Sequence, residues 1–205
     1  MDRRTSIKWV LAASASWPLL ATRSRSAEPA AALPGYGTDP PLVTVYHPGQ
    51  LWPLTLKPPQ RRLAGILADI IIPADEHSAS ASAVGVVDFI DEWISAPYPR
   101  NQRDCPIILS GFSWLDAEAR RRFGQGFADL DSRQHHSICD DICSEARAAR
   151  DARDGARFFA RYRDLTAGGF YSTPVGRQDL GYIGNVPLAR FDGPPPELLK
   201  KLNLP

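Results

Sequence analysis

The chain has 205 residues, with 43% hydrophobic residues, 23% charged residues and a formal net charge of +1. These values describe one globular domain of ordinary size and exclude a disordered chain. The near-neutral balance provides no electrostatic footprint for nucleic acid or an anionic membrane, so neither is expected as a partner. Nineteen prolines gather at about 29–59, 97–106 and 187–196, which predicts short helices separated by stiff turns.

The N-terminal segment has the form of an export signal. Arg3-Arg4 precedes Ile7-Lys8, the weakly apolar run Trp9 to Thr22 follows, and Arg23 to Ala27 makes a small-residue exit. The run is too short to span a bilayer and Pro18 interrupts it, so residues 1–27 are expected to be a cleavable signal. The paired Arg3 and Arg4 point to the twin-arginine translocase, although Ser6 stands where that motif usually carries Phe. Arg23 and Arg25 behind the apolar run agree, because charge there disfavours the general secretory channel. A periplasmic location follows as an expectation.

Residues 28–57 hold Pro, Gly and scattered aromatics without periodicity and are expected to form an extended arm. Leu51, Trp52, Leu54 and Leu56 in that arm need a surface, either their own domain or another protein. Residues 58–205 are expected to form the helical domain. Pro58-Pro59 opens a first helix carrying Leu63, Ile66, Leu67, Ile70 and Ile71, stopped by Pro73. A polar loop with Ser78, Ser80 and Ser82 precedes a second predicted helix, from about Val84 to Ser95. A third is predicted over about Ile107 to Phe123. A fourth, capped by Asp131-Ser132, is predicted to run to about Arg150, with Ile138, Cys139, Ile142 and Cys143 on one stripe. Gly155 reads as a turn, and Gly168-Gly169 as the cap of a fifth helix containing Phe158, Phe159, Tyr162 and Leu165. Pro195 to Leu202 reads as a last short helix. The expected fold is all-α: a compact bundle of about five or six short helices, with an irregular Gly/Pro/aromatic C-terminal tail.

Chemistry-bearing motifs are sparse. His135 and His136 are adjacent, so on a helix they point about 100° apart and are poorly placed to share a metal. They are expected to be surface or capping residues, as are His47 and His77. Asp140-Asp141 and the group Asp88, Asp91 and Glu92 are expected on solvated helix faces. No GxSxG elbow, no HExxH and no GxGxxG after a strand occurs, so no catalytic residue, metal or cofactor is assigned to this chain. Of the three cysteines, Cys139 and Cys143 share a helix face in strained geometry for a mutual bridge. Cys105 is free to pair with one of them in an oxidising compartment, leaving one over for an intermolecular bridge; the alternative is buried free thiols. The distinctive stretch is the tail, where Phe170, Tyr171, Tyr182 and Phe191 sit among rigid Gly/Pro turns. With Trp52 of the arm, these aromatics are the expected anchors of a partner interface. The alternative is a tail that wraps its own core.

Five stretches carry a family resemblance: LADIIIPADE (Leu67–Glu76), VVDFIDEW (Val86–Trp93), GFSWLDAEARRRFG (Gly111–Gly124), FADLD (Phe127–Asp131) and FYSTPVGRQDLGYIGNVPLARFDGPPPE (Phe170–Glu197). From about Pro58 to Leu202 the chain resembles the gluconate 2-dehydrogenase subunit 3 family, the small or gamma subunits of flavin-dependent sugar and sugar-acid dehydrogenases. The resemblance implies a large partner of the glucose–methanol–choline type that holds FAD and oxidises the sugar. It also implies, in many such complexes, a cytochrome subunit carrying haem c. The small subunit is then non-catalytic and helps the large one to mature and cross the membrane. The competing readings are an independent periplasmic enzyme or metal-binding protein using His135 and His136, and a free-standing scaffold.

Overall fold

Helices begin where the sequence supplies start signals. Lys57 precedes Pro58-Pro59, and its backbone N–H donates to the Gln60 side chain at 2.9 Å. Tyr98 precedes Pro99. Asp131 accepts from the Gln134 N–H at 2.9 Å while the Gln134 side chain accepts from the Asp131 N–H at 3.0 Å, a reciprocal cap. The computed structural model describes residues 45–182, 184, 187, 190 and 193–204. Arg3, Arg4 and Phe191 lie outside the described residues, as does the export segment. Among the described residues there are seven α-helices and no strand. They are α1 (Pro58–Ile71), α2 (Val86–Ser95), α3 (Pro99–Phe123), α4 (Ser132–Ile142), α5 (Arg153–Ser172), α6 (Pro174–Asp179) and α7 (Pro196–Lys201). The all-α expectation therefore holds.

Two helices are much longer than the proline count suggested. α3 has 25 residues and continues through Pro106. Proline inside a helix removes one backbone donor, and tertiary bonds on the preceding turns offset that loss. The Asn101 side chain donates to the Trp93 carbonyl and the Gln102 side chain to the Ala96 carbonyl, both at 2.8 Å. These two bonds also close the C-terminal end of α2. α4 stops at Ile142 rather than near Arg150, and α5 runs for 20 residues through Gly155 and Gly168-Gly169 without a break.

The glycines of this pair of helices are notches rather than stops. A Cβ on Gly155 lies 2.8 Å from the Trp114 ring, one on Gly169 lies 2.7 Å from Phe89, and one on Gly111 of α3 falls 1.9 Å from Phe158. Gly168 faces open space. Close approach lets α5 touch α1, α2, α3, α4 and α6. Phe158, Tyr162, Leu165 and Phe170 of α5 are buried against Leu67, Ile90, Ile108 and Leu115. Each such side chain contributes about 1.5–3 kcal/mol by leaving water. The Tyr162 hydroxyl donates to the Ala64 carbonyl at 2.7 Å, and burial pushes that phenol far above its ordinary range, so it stays a donor.

The described part of the arm, residues 45–57, lies on its own domain, and a buried carboxylate holds its last residues there. Asp91 was expected on a solvated face, yet it is fully buried. Its Oδ1 accepts the backbone N–H groups of Thr55 at 3.0 Å and Leu56 at 2.9 Å, and its Oδ2 accepts from Arg61 at 2.7 Å. Arg61 also pairs with Asp88. Trp52 donates its indole N–H to the Glu92 carbonyl at 3.2 Å and meets Tyr98 edge-on at 6.1 Å. Leu56 is buried at the foot of the arm. Removing Asp91 orphans the buried Leu56 N–H, leaves Thr55 N–H to the Ser95 hydroxyl and takes one of two carboxylates from Arg61, whereas Asp88 has a side chain 45% exposed. Asp91→Ala is expected to cost about 3 kcal/mol, and Asp88→Ala less than about 1 kcal/mol, both read from urea unfolding of the isolated chain.

Candidate partner interface

α5 ends in a tight corner, and that corner carries the most exposed aromatic surface. Thr173 donates its hydroxyl to the Phe170 carbonyl at 2.7 Å and accepts the Gly176 N–H at 3.0 Å. A Cβ at Gly176 would lie 2.2 Å from that same carbonyl oxygen, so only glycine allows α6 to fold back this closely. Gly181, with φ of +64°, turns the chain out of α6, and the Tyr182 N–H donates to the Arg177 carbonyl at 2.9 Å. The result presents Tyr171 (36% exposed), Leu180 (61%) and Tyr182 (56%) on a fixed backbone. Such ordered aromatics lose little entropy on association.

Of the five expected interface aromatics, the described residues place Tyr171 and Tyr182 together on this corner. Phe170 is fully buried, edge-on to Tyr171 at 5.2 Å, and belongs to the core. It is therefore no anchor: on α5 it falls on the stripe of Tyr162 and Thr166, which faces inward. Trp52 is half-buried and bonded to α2, so it fastens the arm rather than a partner. Phe191 lies outside the described residues. Leu180 was missed, because an isolated leucine beside glycine gives no periodic signal.

Several of the candidate chemical groups are engaged in structural bonds. His135 was expected at the surface, but it is buried, with Nε2 2.8 Å from the Phe127 carbonyl and its ring 4.7 Å from the Phe127 ring. His136 points outward, with Nδ1 2.6 Å from the Ser132 carbonyl. Ser82 of the serine loop donates its hydroxyl to Asp69 at 2.6 Å, which anchors that loop. Among the described residues, no group of three His, Cys, Asp or Glu side chains is arranged to hold a metal ion. Cys105, Cys139 and Cys143 are free thiols, with Cys139 buried. Burial, helped by the Asp140 charge, pushes the Cys139 thiol up to about 12, so it stays protonated and a poor nucleophile. No described helix is long and apolar enough to cross a membrane.

A cleft of about 780 Å³ lies between α3, α4 and the segment before α5, lined by Trp114, Glu118, Arg121, Arg122 and Asp141 among others. Four of its charged side chains form one network. Glu118 accepts from Arg121 at 2.6 Å and from Arg122 at 2.5 Å, and Arg122 reaches Asp141 at 2.8 Å. The Arg121 hydrogen bond first, with Arg122 overcoming the opposing effect of burial, draws the Glu118 carboxyl down to about 2. For Asp104, burial works upward, but hydrogen bonds from Arg161 and Trp93 outweigh it and hold the carboxyl below its usual range.

Both carboxyls titrate lower when folded, so their contribution is complete above the ordinary carboxylate range and fades on acidification. For Glu118 the window runs from about 4.5 down to about 2. Glu118→Gln is expected to lower stability at neutral pH by an amount that shrinks as pH falls through that window. Urea unfolding of both proteins from pH 7 to pH 2 measures it.

Among the described residues the domain is all-helical, and its exposed large apolar residues fall in the arm (Val45, Leu51), on the corner after α5 and in the tail beyond it. The family model of gluconate 2-dehydrogenase subunit 3 matches residues 58–189, and the chain belongs to that family. It is thus a subunit type of a dehydrogenase complex. The match begins at the first residue of α1 and includes the corner. No curated protein and no solved structure matches the chain.

Proposed function

We propose that the chain is the non-catalytic small subunit of a periplasmic, FAD-dependent sugar or sugar-acid dehydrogenase. The family match over residues 58–189 carries this reading, and the exposed Tyr171, Leu180 and Tyr182 supply the surface it requires. FAD and catalysis reside in a large subunit of the glucose–methanol–choline type, and a cytochrome subunit with haem c takes the electrons in complexes that contain one. Membrane association then comes through those partners. Arg3 and Arg4 bring the folded pair to the twin-arginine translocase, so one signal exports both chains. By binding only the folded large subunit, this chain stabilises it through mass action. The competing metal-binding reading rested on His135 and His136, and His135 is engaged with the Phe127 carbonyl inside the core.

Co-expression with the large-subunit gene, followed by purification through a tag on this chain, tests the proposal. The expected product is a yellow complex that reduces a dye with a sugar or sugar acid as donor. Deleting residues 1–27 is expected to leave that activity in the cytoplasm. A joint Tyr171→Ser and Tyr182→Ser variant is expected to fold and to recover at least about tenfold less large subunit. A colourless chain that purifies alone contradicts the proposal.

A further inference from the structure

Beyond the corner, the tail contains a helix that the domain does not use. No residue of α7 is buried. Leu198 and Leu202, one helical turn apart, are both exposed, and Leu204 follows them. The flanking chemistry nevertheless favours a helix. Pro196 stands in the first turn with Glu197, and Lys200 and Lys201 stand in the last, each charge matched to the helix dipole. Six residues gain too little from their own hydrogen bonds to hold a helix without packing. The segment therefore has strong local helix signals and an exposed apolar pair at helical spacing, with only Leu199 half-buried. That combination is the form of a peptide that enters a groove through residues one turn apart.

We propose that α7 is a docking helix for the large dehydrogenase subunit, its Leu198–Leu202 face entering an apolar groove there while Lys200 and Lys201 remain at the rim. The inference rests on the reading of function given above. Membership of a dehydrogenase-subunit family supplies the partner, and the tail leads directly from the Tyr171–Tyr182 corner. The thirteen residues 183–195 reach at most roughly 45 Å, so a partner held at the corner meets α7 at high effective concentration. Two lysines and a short leucine face are too little for stable attachment to a lipid surface. Because the family match stops at residue 189, α7 is a second foothold outside the matched region. It adds to an interface that the corner begins, and its main effect falls on dissociation.

The test uses the co-expressed complex with three forms of this chain: the full chain, a form lacking residues 196–205, and a Leu198→Glu, Leu202→Glu double variant. The complex is immobilised through the large subunit and dissociation is followed after dilution. Both altered forms are expected to leave about a hundredfold faster, while the thermal unfolding midpoint of the free chain with Leu198→Glu, Leu202→Glu stays unchanged because both leucines are exposed. Equal dissociation rates for all three overturn the inference. So does an effect of the variants confined to self-association or to binding of anionic vesicles. Failure of the full chain to form any complex overturns the reading of function with it, an outcome distinct from a complex that forms and is indifferent to α7.

Discussion

Asp91 sits at the junction on which the arrangement of the N-terminal half depends. A carboxylate removed from water is tolerated only when charge and hydrogen bonds surround it. Here Arg61 of α1 and two consecutive backbone N–H groups of the arm provide both. One side chain of α2 therefore fixes the position of α1 and the course of residues 52–57 at once. The arm in turn places Leu56 in the core and lays Trp52 against α2. Asp104 performs the same service further along, joining α3 to α5 through Arg161 and to α2 through the Trp93 indole. Arg161 and Arg100 also lie over the Trp93 ring, at 5.8 and 5.5 Å.

Packing around α5 converts that rigidity into a presented surface. Glycine notches at 111, 155 and 169 admit Phe158, Trp114 and Phe89 to backbone distance, and interiors so closely packed resist small shifts. The C-terminal end of α5 is thus fixed by the helices around it, and the Thr173–Gly176 corner inherits this. Tyr171, Leu180 and Tyr182 are exposed on stiff backbone. A surface of that kind suits a subunit whose work is to hold another protein, as proposed for this chain. The buried acids Asp91 and Asp104, the buried His135, and Arg121 and Arg122 of the Trp114–Asp141 cleft are engaged in structural bonds.

The all-α class, the starts of α1 and α4 and the family resemblance were legible in the sequence, since proline, a capping Asp and apolar periodicity are local signals. What escaped was decided by tertiary contacts. Gly155 and Gly168-Gly169 read as a turn and a helix end, yet α5 runs through them, with the Trp114 and Phe89 rings taking the space beside Gly155 and Gly169. Pro106 read as loop, yet side chains of Asn101 and Gln102 secure the turn before it. Asp91 did leave a trace: within α2 it stands four residues after Val87 and three before Ile94, on the apolar stripe. Asp104 likewise precedes Ile108 by four. An acid on an apolar stripe signals a buried, partnered carboxylate, and that reading finds both. Of the aromatics the sequence offered as anchors, Tyr171 and Tyr182 are exposed while Phe170 and Trp52 pack inward, a difference set by burial that sequence alone does not carry.

Hydrogen exchange of this chain, free and in complex with the large subunit, addresses the central claim most directly. The account predicts that amides of residues 171–182 gain protection on complex formation while Thr55 and Leu56, already bonded to Asp91, exchange as slowly as before. Protection confined to the Glu118–Asp141 cleft, with residues 171–182 unchanged, would contradict it.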